Sequence, residues 1–131
     1  MLKVKLIKNI NYLLLFVIFL ACHKESLKEK YLQDSAIYKG KKLYTDMACN
    51  ACHSIDGSLK LGPSLYNQMG NSILHTDGSE IIIDEEYIKE SIIDPLKYIV
   101  EGYTPIMPSY KPVLSDEDIN NIIAYIKTLS K

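Results

Sequence analysis

Two cysteines and a histidine stand close together in the segment Cys49-Asn50-Ala51-Cys52-His53. The spacing C-x-x-C-H is the attachment signature of c-type haem. Two thiols one helical turn apart can form thioethers with the two vinyl groups of one porphyrin, and the adjacent imidazole then lies under the iron. The motif therefore predicts one covalently attached haem c, with Cys49 and Cys52 as the links and His53 as the first axial ligand of the iron.

Other kinds of site for paired cysteines remain as alternatives. A structural zinc site takes four ligands, and from Cys22 onward the chain offers only Cys22, His23 and His75 outside the motif. A thioredoxin-like dithiol requires a βαβ setting, and no parallel-sheet pattern surrounds Cys49. A plain disulfide would make the histidine after the second cysteine a coincidence. Haem attachment is favoured over each of these.

A haem iron needs a sixth ligand, and its type decides the function. A strong ligand makes an electron carrier, whereas an open position permits oxygen or peroxide chemistry. Met107 is the predicted ligand, because prolines two residues before it and one residue after it stiffen its loop. We expect Met47 to fill the core, and Met69 can reach the iron only if the chain folds back tightly. His75 is the alternative, which would give a bis-histidine haem of lower potential.

The segment Gly62-Pro63-Ser64-Leu65 follows the motif closely. A ligating histidine almost always donates its other ring N–H to a carbonyl or carboxylate group. The carbonyl of Pro63 is the predicted acceptor for His53, and such a bond fixes the orientation of the imidazole. An ordinary turn is the alternative.

The composition limits the kinds of protein that the chain can be. It has 131 residues, of which 47% are hydrophobic and 24% charged, as is typical of one small folded domain. A formal net charge of -1 lacks the basic excess that nucleic acid binding requires. All 15 basic residues are lysines, which excludes a substrate site built on guanidinium groups.

The first 21 residues have the pattern of an export signal. Three lysines charge the first eight residues, and an uncharged apolar run of nine residues, 13–21, follows. Because a membrane-spanning helix needs about 20 apolar residues, we interpret 1–21 as a signal peptide rather than as a permanent anchor helix. Ala21 directly before Cys22 resembles a bacterial lipoprotein cleavage box. Cys22 is therefore predicted to carry acyl chains that anchor the protein in a membrane, with ordinary cleavage and a free thiol as the alternative.

Residues 22–34 are mostly polar and show no sustained apolar period, so they are predicted to form a flexible tether. The folded domain is expected to occupy residues 35–131. Removing the three leader lysines leaves 12 basic against 16 acidic residues, a net charge near -4 for the exported chain. The predicted location is the periplasmic face of a bacterial membrane.

Helices are predicted at both ends of the domain. Asp34 or Ser35 can cap the first helix, and its Gly40 is expected to admit another backbone, because glycine inside a helix costs about 1 kcal/mol relative to alanine. Ser115 and Asp118 form a predicted capping box at the start of the last helix. Isoleucines then repeat at spacings of three and four. We expect Ala124 and Tyr125 of that helix to lie against the glycine of the first.

A hairpin and a further helix are predicted between the haem motif and the methionine loop. Apolar residues flank an Asp-Gly pair within 73–83, which is typical of a β-hairpin. We expect His75 in this hairpin to be exposed. Asp84 is the predicted cap of the next helix, and Pro95 is expected to end it.

The order of these features resembles class I cytochrome c over roughly residues 35–130. The shared features are the glycine-bearing helix, the CNACH and GPSL segments, the methionine loop and the amphipathic last helix. The stretch 77–95, with Glu101-Gly102-Tyr103 and Met107-Pro108-Ser109-Tyr110, is more narrowly similar to the cytochrome c domain fused to subunit II of caa-type cytochrome oxidases.

The resemblance implies an all-α class I cytochrome c fold, with crossed N- and C-terminal helices around one covalent haem and a small β-hairpin. It also implies that His53 and Met107 are the axial ligands of the iron and that Cys49 and Cys52 are the covalent links. The copper-binding domain and transmembrane helices of such an oxidase subunit are not present in this sequence. The chain is therefore expected to be a free-standing or tethered relative.

The implied function is single-electron transfer between membrane or periplasmic redox proteins, such as a terminal oxidase or a quinol-oxidising complex, in a respiratory chain. No small-molecule substrate and no catalytic residue are expected. A haem subunit of a larger oxidase or reductase, or a catalytic or sensory haem protein with a labile sixth ligand, is the alternative. Since the exported chain is acidic, we expect docking through an apolar edge or onto a basic partner patch.

Overall fold

The computed structural model describes residues 35–130, and this part of the chain contains four helices and one two-stranded antiparallel sheet. In chain order the elements are α1 (Ala36–Asp46), α2 (Cys49–Cys52), β1 (Ser72–Leu74), β2 (Glu80–Ile82), α3 (Glu85–Ile93) and α4 (Asp116–Lys127). The expectation of several helices with one small hairpin is confirmed. The predicted signal peptide, the tether and Cys22 lie outside the described residues.

Helices α1 and α4 pack directly against each other at Gly40. A β-carbon on residue 40 would lie 1.8 Å from the carbonyl oxygen of Asn121, so only glycine permits this approach of the two backbones. The residue that faces Gly40 is therefore Asn121, and not the predicted Ala124 or Tyr125. Tyr125 instead packs against Tyr44, with ring centroids 5.6 Å apart, and this bulky pair fills the space one turn further along.

Helix α4 starts with the predicted capping box. The Ser115 hydroxyl accepts from the N–H of Asp118 at 3.2 Å, and the Asp118 carboxylate accepts from the N–H of Ser115 at 3.0 Å. One face of the helix is buried in a core made almost wholly of isoleucine. The core residues are Ile83, Ile88, Ile92, Leu114, Ile119, Ile122, Ile123 and Ile126.

Helix α3 also has the predicted limits. The carboxylate of Asp84 accepts from the N–H of Tyr87 at 2.8 Å, and the helix ends at Ile93, two residues before Pro95. Ion pairs connect α3 to α4: Lys89 lies 3.0 Å from Asp116, and Lys127 pairs with Glu85. No helix within residues 35–130 has the length and apolarity that crossing a membrane requires.

The hairpin pairs Ser72 with Ile82 and Leu74 with Glu80, which confirms the predicted strands on either side of the Asp-Gly turn. The expectation for His75 is wrong, because its side chain is only 2% exposed. Its ring lies 5.6 Å from both the Tyr87 and the Tyr98 rings, measured between centroids. An isolated bridge from His75 to Val100 holds the turn against the chain that follows α3, and this packing excludes water from the imidazole.

Candidate haem-binding site

One cleft of the described chain is lined both by the segment around α2 and by the loop that carries Met107. Its lining includes Cys49, Cys52, His53, Pro63 and Met107. The structure thus brings all predicted site residues of the range 35–130 to one cavity, although the histidine and the methionine are 54 positions apart in the sequence.

The walls of this cleft are apolar. Among the described residues, no acidic or lysine side chain lines it. Six members of the isoleucine-rich core also line it, so the cleft lies inside the core rather than beside it: Ile83, Ile88, Ile92, Leu114, Ile122 and Ile126. Such walls suit the flat hydrocarbon body of a porphyrin and exclude water from it.

The two cysteines occupy the single turn of α2, which places their thiols on the same side of the chain. Both thiols are free and half-buried. Burial raises the pKa of the Cys49 thiol, so it stays protonated at neutral pH. The N–H of His53 donates to the carbonyl of Cys49 at 2.9 Å, and this bond sets the imidazole directly after the turn.

The imidazole of His53 is held on two sides. Its Nδ1 donates to the carbonyl oxygen of Pro63 at 2.7 Å. Its ring lies flat against Gly62, where a β-carbon would come within 2.6 Å of Cε1. Because Nδ1 carries the proton, Nε2 is left as the nitrogen with a free lone pair, which is what an iron ligand requires.

Tyr44 supports this site, and the sequence analysis missed it. Its side chain is only 5% exposed, and its hydroxyl donates to the carbonyl oxygen of His53 at 2.7 Å. Burial raises the pKa of Tyr44 to about 12, so the hydroxyl keeps its proton and remains a donor. The position one turn after Gly40 was the available signal, because it puts Tyr44 on the buried face of α1.

Met107 is the one methionine of residues 35–130 that lines the cleft. All three methionines of this range pack against the core, but Met47 and Met69 do not line the cleft. The alternative ligand His75 is absent from the cleft lining, and both of its ring nitrogens are engaged: Nε2 lies 2.9 Å from the Tyr87 hydroxyl, and Nδ1 lies 3.2 Å from the Ser79 carbonyl. Of these candidate ligands, Met107 is therefore the one that shares the cleft with His53.

The chemistry of the donors fits a haem. Two thiols, one imidazole with a free Nε2 and one thioether share an apolar cavity. Within the described range, no three His, Cys, Asp or Glu side chains come together as they do in a protein metal site. This arrangement does not support the zinc alternative.

Comparison with known proteins agrees with this chemistry. The family model described as Cytochrome c matches residues 37–130. A protein named cytochrome c2 from Rhodospirillum rubrum is 30% identical over an alignment of 98 residues. The match covers 62% of this chain and 73% of the relative. The range matched by the family model contains every site residue described above.

Proposed function

The chain belongs to the cytochrome c family, and from that premise we propose that it is a monohaem electron carrier of the class I type. Members of the family bind haem c covalently, and Cys49 and Cys52 stand in the attachment motif with His53. The observation that carries the proposal is that Met107 lines the same apolar cleft as His53. The packing of α1 on α4 at Gly40 supports the crossed terminal helices of that class.

The residues of this chain have separate tasks in the proposed site. Haem c, when bound, supplies a one-electron iron couple. Nε2 of His53 and the sulfur of Met107 would hold the iron, and methionine ligation favours the reduced state. The Pro63 carbonyl orients the imidazole, and the apolar walls exclude water.

The methionine ligand is tested by Met107→Ala in the haem-loaded protein, with Met69→Ala as the matched control. We expect the methionine-to-ferric-iron charge-transfer band in the wild type and in Met69→Ala, and its loss in Met107→Ala together with a lower midpoint potential. If the oxidised wild type lacks this band, either His75 is the sixth ligand or the position is open, and only an open position would favour a sensory or catalytic role. An unchanged band in Met107→Ala would also refute it.

We further propose that the protein is exported and anchored through lipid on Cys22 at the periplasmic face of a bacterial membrane. The support is the charged start, the short apolar run and the Ala21-Cys22 pair. Intact mass of the purified protein should show an acylated chain that begins at Cys22. Cys22→Ser should move the protein to the soluble fraction, and equal membrane retention of this variant would contradict the anchor.

The proposed partners are a respiratory donor and acceptor of the terminal oxidase or quinol-oxidising kind. The narrower similarity to the cytochrome c domain of caa-type oxidases, carried by the segments around Tyr103 and Met107, favours an oxidase as acceptor. Co-purification with membrane complexes tests whether the chain is a free carrier or a subunit. Stable association through detergent and salt would identify a subunit.

At the mouth of the cleft, apolar side chains are exposed on both sides. Leu61 is 63% exposed and Ile106 is 55% exposed, and both line the cleft. One belongs to the loop after the haem motif and the other to the methionine loop. We therefore propose that partners dock through an apolar surface around this mouth.

A further inference from the structure

Tyr110 connects the two halves of the candidate site. Its hydroxyl donates to the backbone carbonyl oxygen of Met47 at 3.0 Å, across 63 positions of sequence. Tyr110 lies three residues after Met107, and Met47 lies two residues before Cys49. One hydrogen bond thus joins the methionine loop to the turn that presents the cysteines.

The bonded carbonyl belongs to the peptide group between Met47 and Ala48, and Ala48 has a disfavoured backbone conformation. Ala48, which precedes α2, has φ 56° and ψ 23°, in the left-handed region. A residue with a β-carbon is disfavoured there and stays only where its surroundings hold it. The N–H of this peptide donates to Thr45 at 3.0 Å, and its carbonyl accepts from Tyr110, so both of its polar groups are fixed.

Tyr110 is itself firmly held. Its N–H donates to the carbonyl of Ile92 at 3.0 Å, and its carbonyl accepts from the N–H of Leu114 at 2.9 Å. Burial raises the pKa of the Tyr110 hydroxyl, so the group keeps the proton that it donates. The backbone of Tyr110 is therefore anchored to α3 and to the segment just before α4. From this fixed position its side chain reaches the turn before α2.

We propose that Tyr110 is a positioning residue whose hydroxyl couples the methionine loop to the left-handed turn before α2. The hydroxyl holds the turn that carries the cysteines in register with the loop that carries Met107. Its loss loosens both segments together, although they are distant in sequence. The part of the proposal that concerns iron ligation rests on the proposed function.

The test compares Tyr110→Phe with Tyr103→Phe in the haem-loaded protein. Tyr103 lies in the same loop and lines the same cleft, but its hydroxyl forms no bond to residues 47–53. Amide hydrogen exchange in 47–53 and in 104–110 should be roughly 2- to 10-fold faster in Tyr110→Phe, from the ordinary strength of one hydrogen bond. Imidazole should bind the ferric protein tighter by a similar factor, because the methionine is held less firmly.

Ala48→Gly supplies a second measurement. Glycine adopts the left-handed conformation freely, so in this background Tyr110→Phe should change the exchange of 47–53 much less. Unchanged exchange of 47–53 in Tyr110→Phe, or an equal increase in Tyr103→Phe, overturns the coupling. The exchange result does not depend on Met107 being an iron ligand, so failure of the coupling and failure of the ligand assignment can be distinguished.

Discussion

Both ring nitrogens of the buried His75 have hydrogen-bonding partners, the Tyr87 hydroxyl and the Ser79 carbonyl. A phenyl ring in its place would take this partner from the Tyr87 hydroxyl in a site closed to water, while the Ser79 carbonyl would keep the bond from the backbone N–H of residue 75 at 2.9 Å. We therefore expect His75→Phe to lower the free energy of unfolding by about 1–3 kcal/mol, measured by denaturant titration of the haem-loaded protein.

The same variant separates a structural role from iron ligation. The absorption spectrum and midpoint potential of His75→Phe should stay close to those of the wild type. Tyr87→Phe is the partner variant, and the double variant should be less destabilised than the sum of the two single changes. Loss of an axial ligand in His75→Phe would instead identify the histidine as the iron's second imidazole.

Prediction at the residue scale succeeded where the signal was local. Cys49, Cys52 and His53 lie within five adjacent residues, and their spacing alone indicates haem attachment. Tyr44 and Tyr110 could not be assigned in this way, because their hydroxyls bond to carbonyls 9 and 63 positions away. Any backbone carbonyl can accept such a bond, so the residue type at the acceptor position does not predict it.

Among the elements, the contact between α1 and α4 depends on a missing β-carbon. Gly40→Ala would place that carbon 1.8 Å from the carbonyl oxygen of Asn121, and a backbone atom cannot move away by itself. Alanine favours the helix by about 1 kcal/mol, but separating the helices should outweigh this gain, with a net loss of roughly 1–3 kcal/mol in unfolding free energy. Thermal and denaturant unfolding measure the loss.

Lys41→Ala is the control for this change, since residue 41 is exposed on the same helix. It should alter the unfolding free energy by no more than about 0.5 kcal/mol. Equal stability of the two variants would mean that α1 and α4 adjust without cost, contrary to the contact described above.

The cap of α4 predicts an acid-dependent stability. Hydrogen bonds from the Ser115 hydroxyl and N–H hold the pKa of the Asp118 carboxyl below its ordinary value of 3.8. Because the pKa of this carboxyl is lower in the folded protein than in the unfolded chain, its ionised form adds to the free energy of unfolding above pH 3.8. This contribution is lost as the pH falls through the lower pKa of the folded state. Asp56 and Asp77 contribute with the same sign, through Ser58 and Ser79.

Ser115→Ala should therefore cost about 1 kcal/mol at neutral pH, and its difference from the wild type should shrink as the carboxyl becomes protonated. Urea titrations between neutral pH and the acid range measure this. Asp118→Asn is the matched variant and should flatten part of the acid dependence. A Ser115→Ala difference that stays constant with pH would show that the carboxylate takes no part in the cap.

The elements were predicted well because caps and periodicity are local. Asp84, Ser115 and Asp118 mark helix starts through bonds to residues three positions away. The partner of Gly40 was predicted one turn too far along α4, because periodicity gives the buried face of a helix but not the height at which another helix meets it. Local signals likewise predicted the hairpin. The packing that buries His75 was not predicted, because it involves residues that are distant in the sequence.

At the scale of the whole molecule, the net charge and the exposed apolar side chains predict how the protein binds its redox partners. Residues 35–130 contain 8 lysines and 13 acidic residues, yet Leu61 and Ile106 at the cleft mouth are exposed and apolar. The second-order rate of electron transfer to a membrane oxidase should therefore depend only weakly on ionic strength. Leu61→Ser should slow this transfer by about 5- to 10-fold, because truncation of a hot-spot residue at the centre of an interface costs more than about 1 kcal/mol.

Ile82→Ser is the control, because Ile82 is 60% exposed on the hairpin and does not line the cleft. It should leave the rate unchanged. A rate that falls steeply with added salt, with Leu61→Ser and Ile82→Ser indistinguishable, would indicate recognition by charge.

Six of the eight core side chains also line the cleft proposed for the porphyrin. Because these side chains would contact both the bound group and one another, the porphyrin would be an integral part of the hydrophobic interior. We therefore expect covalent attachment of the haem to raise the resistance of the whole domain to denaturant.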